Sequence, residues 1–347
     1  MGHIIVPRIS IRHLLPPEPE IAVGLQPQHL HWQVGRYKER LVSGPGGLGR
    51  GRIWVPEHEG EQHNLILTQT YDTLIPLHGF VALGSYAVVG TGSTAPDPAQ
   101  TGLVSEVART NADTSPAQSN NAEPTPGQAV FTRVREFTEA QVGGRNLTEW
   151  GFSPAAAAGN NLMCRELFRD GSGNPVVLTL APDQRLRLIY KYSFSYTPAI
   201  GTAQDVSVNI TGLGVRTAKL FVSQYGSFGP LGHIYLLSEW ASGNGSITQH
   251  AVVSGPVTPS PSAAPNNSDA ISLNTLGFTP ITRGRKINAR TFSAVEANRT
   301  WYGLALIRAA TWHPFGAVSL AFDPGQEFTK DSLYKMVVNE WVLTWGP

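Results

Sequence analysis

Two histidines, spaced as His29-Leu30-His31, have the separation of a paired metal ligand, because alternate residues of a strand share a face. Two ligands fall short of the four that zinc takes, so a metal here would need the same pair from other subunits around a symmetry axis. Two histidines packing or meeting solvent beside Trp32 is the simpler reading. His63, His78, His233, His250 and His313 stand singly, with no HExxH, no DxDxDG and no Cys/His cluster. Cys164, the single cysteine, lies inside NNLMCRELF and reads as a small buried residue that can form neither an internal disulfide nor a zinc site. No G-x-S-x-G elbow supports a serine nucleophile. Glu136, Glu139, Glu149, Asp170, Asp183, Glu239, Asp323 and Glu327 are scattered, and spacing alone brings no two of them to one cleft for glycoside hydrolysis. SGPGGLGRG lacks the Lys-Ser/Thr and the following helix of a phosphate loop. Bases and aromatics interleave at Arg187, Tyr190, Lys191 and Tyr192, as in single-strand nucleic-acid binders. Yet Leu186, Leu188, Tyr190, Tyr192, Phe194 and Tyr196 fall on one face and read as core, leaving Arg187 and Lys191 outside. The reading therefore assigns no catalytic, cofactor-binding or metal residue.

The elements around these residues are short. Only 15% of the chain is charged, and 36 glycines with 26 prolines exceed average usage, so turns are dense and long helices are not expected. The net charge of +1 leaves no electrostatic footprint for nucleic acid. No run of 18 uncharged apolar residues would span a bilayer as a helix, and the opening residues, broken by Arg8, Arg12 and prolines, do not read as a secretion signal.

Residues 1–34 read as an extended arm, since five prolines exclude helix while Ile4, Val6, Leu14, Ile21, Val23 and Leu25 need cover from its own domain or a neighbouring subunit. RYKERLV and RIWVPE read as a hairpin around the Gly-rich loop. A short helix is expected within Asn64–Phe80, capped by Thr68 and ended at Pro76 and Gly79. Everything else reads as strands, HIYLLSEW included, with Pro/Ser/Asn loops at 111–128 and 254–270.

An internal repeat emerges. Arg135-Glu-Phe137-Thr138 followed by Asn146-Leu-Thr-Glu-Trp150-Gly151 parallels Arg290-Thr-Phe292-Ser293 followed by Asn298-Arg-Thr-Trp301-Tyr-Gly303. LTLAPDQRL, from Leu178, parallels LAFDPGQEF, from Leu320. Phe137 should then match Phe292, and Trp150 match Trp301.

A further set of residues carries a resemblance. Asn64-Leu-Ile-Leu, Val89-Gly90-Thr91-Gly92-Ser-Thr-Ala-Pro96, Leu147-Thr-Glu149-Trp150-Gly151-Phe152 and Asn161-Leu-Met-Cys-Arg165-Glu-Leu-Phe168 occur in this order. They resemble a module of tailed-bacteriophage virion proteins, with its "VGTGTTAP" turn and its "tEwGlf" and "LfsRalf" strands. The likeness covers roughly residues 36–198. It implies a virion component and brings no catalytic residues with it.

The expectations are these. The fold is all-β: an extended arm (1–34) and two tandem β-sandwich-like modules (35–198 and 199–347). The function is that of a non-enzymatic, self-assembling subunit of a phage virion, in the tail or collar, contacting neighbouring virion proteins, without cofactor, membrane or sequence-specific nucleic acid. Alternatives are a capsid decoration or cement protein, or a receptor-binding fibre head for host-surface glycan with exposed aromatics around Trp240, Trp301, Trp312 or Trp345.

Overall fold

The computed structural model describes residues 19–44, 47–114, 117–210, 212–224, 232–243, 248–262, 277–310, 313–338 and 341–347. The fold is all-β with a few short helical segments.

One large sheet organises it. From edge to edge the strands are Asn120–Thr125, Gln128–Phe137, Arg185–Thr197, Glu20–Gly44, Trp341–Gly346, Gly284–Ile287 and Phe278–Ile281. All neighbours are antiparallel except Glu20–Gly44 and Trp341–Gly346, which run parallel. Strict alternation explains its inner face: Leu186, Leu188, Tyr190, Tyr192, Phe194 and Tyr196 are all buried, as are Trp341, Leu343 and Trp345. Two five-stranded sheets complete the same core. One orders Leu65–Ile66, Cys164–Leu167, Glu149–Ser153, Tyr86–Gly90 and Glu106–Thr110; the other orders Gln204–Ile210, Gly214–Gln224, His313–Phe322, Gly303–Ala310 and Thr248–Val253.

The two halves of the chain repeat one strand order. In each small sheet a strand leads through a helix to a second strand (Leu65–Ile66 to Tyr86–Gly90; Gly214–Gln224 to Thr248–Val253), and a later hairpin inserts between them. In the large sheet, the hairpin Asn120–Phe137 lies against Arg185–Thr197 as the hairpin Phe278–Ile287 lies against Trp341–Gly346. Phe137 and Phe292, both fully buried, close the corresponding strands, opposite Leu186 and Met336.

Several expectations need correction. The arm's boundary is one: residues 20–34 are extended and covered within the chain as the middle strand of the large sheet, but that strand runs on through the expected boundary to Gly44. The halves are not separate tandem modules either, because Trp341–Gly346 lies beside that strand and the principal core cluster joins residues of both halves. Residues 1–18 lie outside the described residues. The two Pro-x-Gln segments are not equivalent, since Gln184 closes the turn before Arg185–Thr197 whereas Gln326 closes the turn one element earlier, before Phe328–Lys330. Both are four-residue turns closed by the amide of Gln on the carbonyl three residues back, so shared turn chemistry produced the likeness. Likewise Trp150 lies in Glu149–Ser153 while Trp301 lies in Arg299–Trp301, the short strand that precedes its counterpart.

HIYLLSEW forms part of the helix Gly232–Ser242, not a strand. Leu236 and Leu237 are both buried, as are Ile234, Trp240 and Ala241, a pattern of three- and four-residue spacings that a strand would split between opposite faces. This helix meets its counterpart, the helical segment Thr70–His78, at the seam between the halves. Ser238 Oγ accepts the Phe80 and Val81 amides at 2.9 and 3.3 Å. At Gly79 the backbone turns left-handed (φ +68°), and a Cβ there would sit 2.3 Å from Ser238 Oγ, so only glycine fits. The Asn120–Thr125 strand takes up part of the expected 111–128 loop; part of the 254–270 loop lies outside the described residues.

Candidate functional site

The residues that carry the phage-protein resemblance converge in space. Glu149 accepts backbone N–H bonds from Gly92 (2.9 Å), Val104 (3.1 Å) and Ser105 (2.9 Å). Its carboxylate also pairs with Arg165, at 2.8 Å from Nη2 and 3.0 Å from Nε. Arg165 in turn donates to Gln100 (2.7 Å) and to the Thr94 carbonyl (2.9 Å). Both charged side chains are fully buried. A Cβ on Gly90 or Gly92 would stand 2.6 or 2.4 Å from Glu149 Oε1. The motif is thus a lock holding the 91–105 loop onto two strands, and burying charges in this way requires that every partner be present.

The other candidates are dispersed. His29 and His31 lie on the central strand opposite Lys191 and Ile189; His31 Nε2 is 3.2 Å from Glu59, and burial, with Lys191 nearby, lowers the pKa of His29. Among the described residues no group of three His, Cys, Asp or Glu converges as a metal site would. Cys164 is buried, and its thiol pKa is pushed up to about 12 by that burial. Glu136 and Glu139 pair with Arg185, Asp183 with Arg36, Asp323 with Lys219 and Glu166 with Arg169. Trp240, Trp301 and Trp345 are core residues, so the exposed aromatic cluster expected of a fibre head is not formed by them; Trp312 lies outside the described residues. Among the described residues no helix is long and apolar enough to cross a membrane.

Two surface features remain. The first is the expected hairpin. The central strand pairs with Arg185–Thr197 only as far as Gly35, but with Gly47–Gln62 it continues to Gly44 opposite Gly47. The base is clamped to the outer face of the sheet. Arg187 donates to Glu136 at 2.8 Å and lies 4.3 Å over the Trp54 ring, and the Tyr37 hydroxyl reaches Glu136 at 3.2 Å. Beyond that clamp Lys38, Glu39, Arg40, Leu41, Arg50 and Arg52 are exposed. Residues Lys38–Gly44, at the rise of an antiparallel strand, carry the ribbon about 24 Å past the clamp.

The second is a cleft of about 690 Å³ at the seam, bounded by the 81–85 loop, Asn111, Asp113, Ser119, Asn120 and Asn121, with Tyr235 from the Gly232–Ser242 helix. Its floor holds Arg133 and Arg135, two positions apart on one strand and therefore on one face, each about nine-tenths buried. Sequence reading missed this site because its lining comes from four separated segments, none with a motif.

Comparison with known proteins identifies no relative: no family model, no curated protein and no solved structure matches the chain.

Proposed function

We propose that this chain is a structural subunit of a tailed-bacteriophage particle, in its tail or collar, and that the 38–52 ribbon is the element it offers to a neighbouring subunit. The observation that carries the reading is the ribbon itself, which continues past the sheet with neither outer edge paired among the described residues. A two-stranded ribbon is marginal alone in water, and its open main-chain edges are templates for pairing with another chain. The resemblance of roughly residues 36–198 to virion proteins supports the setting, and its motif residues serve to hold a loop rigid, as an assembly part needs.

The test replaces residues 40–51 with a two-residue Asn-Gly turn, which keeps Glu39 opposite Arg52. The shortened protein should keep its melting temperature and fail to enter particles; normal incorporation would refute the reading. A second reading, a receptor-binding head, is favoured by the seam cleft and predicts that the purified protein binds host cells. A capsid-decoration role would instead place the copies on capsomers in a whole-particle reconstruction.

A further inference from the structure

We infer that the seam cleft binds a monoanionic, hydroxyl-rich ligand, an acidic sugar whose carboxylate meets Arg135 and Arg133. The inference stands apart from the assembly role of the ribbon. It starts from the placement of charge. Arg133 and Arg135 project from the same face as Phe131 and Phe137, a face otherwise devoted to the core. Two guanidiniums on such a face are costly without counter-charge. The lining supplies one carboxylate, Asp113, 3.7 Å from Arg135 Nη1. Asp113 is itself occupied, accepting the amides of Thr114 (2.7 Å), Gln118 (3.1 Å) and Ser119 (3.0 Å). Two cations and one anion leave the lining one positive charge in excess, which suits a carboxylate better than a phosphate dianion.

The donors are arranged accordingly. Arg133 Nη1 and Nη2 are held by Asn121 Oδ1 (2.7 Å) and the Val81 carbonyl (3.2 Å). Arg135 is held through Nε by the Ser85 carbonyl (2.7 Å) and through Nη1 by Ser119 Oγ (3.0 Å). The same guanidiniums also donate to main-chain carbonyls, Arg133 Nη1 to Asn120 (3.3 Å) and Thr132 (3.1 Å) and Arg135 Nη1 to Val134 (2.9 Å), so both planes are fixed toward the cleft and a carboxylate there would meet a preset pair of cations. Burial, with repulsion from Arg133, also lowers the pKa of Arg135, as expected where positive charge is under-compensated. The lining also includes the side-chain amides of Asn111, Asn120 and Asn121, groups that can donate to and accept from vicinal hydroxyls. The Tyr235 ring, 39% exposed, gives one wall for the apolar face of a pyranose. The volume lies within the range of small-ligand sites.

The test titrates the isotopically labelled full chain with glucuronate and N-acetylneuraminate, then with inorganic phosphate and neutral N-acetylglucosamine, following backbone amides by NMR. Expected are saturable shifts at residues 81–85 and 111–121 with the two acidic sugars, and affinities at least about ten-fold weaker for the other two probes. Phosphate binding as tightly as the acidic sugars, or no shift with either acidic sugar, would overturn the inference. Arg135→Gln should weaken binding about ten-fold or more. Because that change touches a buried network, Tyr235→Ala, at the exposed wall, is the companion variant. It should weaken binding several-fold in protein shown to be folded by its amide spectrum, and full affinity in Tyr235→Ala would equally count against the site.

Discussion

The two halves share a strand order but stabilise their small sheets by opposite means. In the first half the sheet is tied through a buried ion pair, Glu149–Arg165, with five further hydrogen bonds radiating into the 91–105 loop. In the second half the corresponding sheet holds His250 on Thr248–Val253, almost wholly buried, with no partner for either ring nitrogen among the described residues. Charge is compensated in one sheet and suppressed in the other. A repeated topology therefore constrains where strands go and leaves the polar interior free to diverge.

The largest effects should come from breaking the first solution. Glu149→Ala leaves the Arg165 guanidinium buried and unpaired and should cost about 3–5 kcal/mol in denaturant unfolding, whereas His250→Leu should be close to neutral or stabilising. A cost below about 1 kcal/mol for Glu149→Ala would show that water reaches the pair. Phe137→Ala and Phe292→Ala should each cost about 3–5 kcal/mol. Because one sheet and one core span both halves, each variant should unfold in a single transition; two resolved transitions would restore separate modules.

Acid should find the second solution. Burial, with Arg290 nearby, lowers the pKa of His250 to about 4, below the value near 6.5 of an unfolded histidine. The unfolded state therefore binds more protons between those values. The contribution is fully present above pH 6.5 and is lost as pH falls toward 4, amounting to roughly 3 kcal/mol. Stability of the wild type and of His250→Leu, compared across this window, should diverge by that amount, and parallel curves would exclude His250 as the sensor. The smallest effect belongs to the ribbon: replacing residues 40–51 with the short turn should change stability by less than about 1 kcal/mol, since the clamp at Tyr37, Trp54 and Arg187 stays.

What was legible in the sequence followed from periodicity. Leu186 to Tyr196 alternates so regularly that strand and core face were both readable. The arm was misjudged because prolines mark an extended chain without saying what pairs with it, and Pro27 sits at a bulge in the pairing with Arg185–Thr197. The helix at Gly232–Ser242 was misread because its apolar positions come in adjacent pairs, which local inspection reads as a buried strand. Of the repeat, Arg-x-Phe pointed to true equivalents while Pro-x-Gln pointed to a common turn. Neither Glu149 with Arg165 nor Arg135 with Asp113 could be paired from spacing, because neither the hairpin register that sets the first contact nor the loop path that sets the second is encoded in a motif.

The shared central strand also sets the order of events in synthesis. Glu20–Gly24 finds one neighbour in the parallel strand Val342–Gly346, made more than three hundred residues later. Until that segment emerges, the Glu20–Gly24 end of the middle strand stays open on one edge beside the nearly finished first half. Contacts this distant in sequence slow folding and prolong exposure of an unpaired edge. Ribosome-bound chains halted before residue 341 should accordingly leave the amides of Glu20–Gly24 rapidly exchanging, and the first half should reach protection only when the last strand of the large sheet has been made.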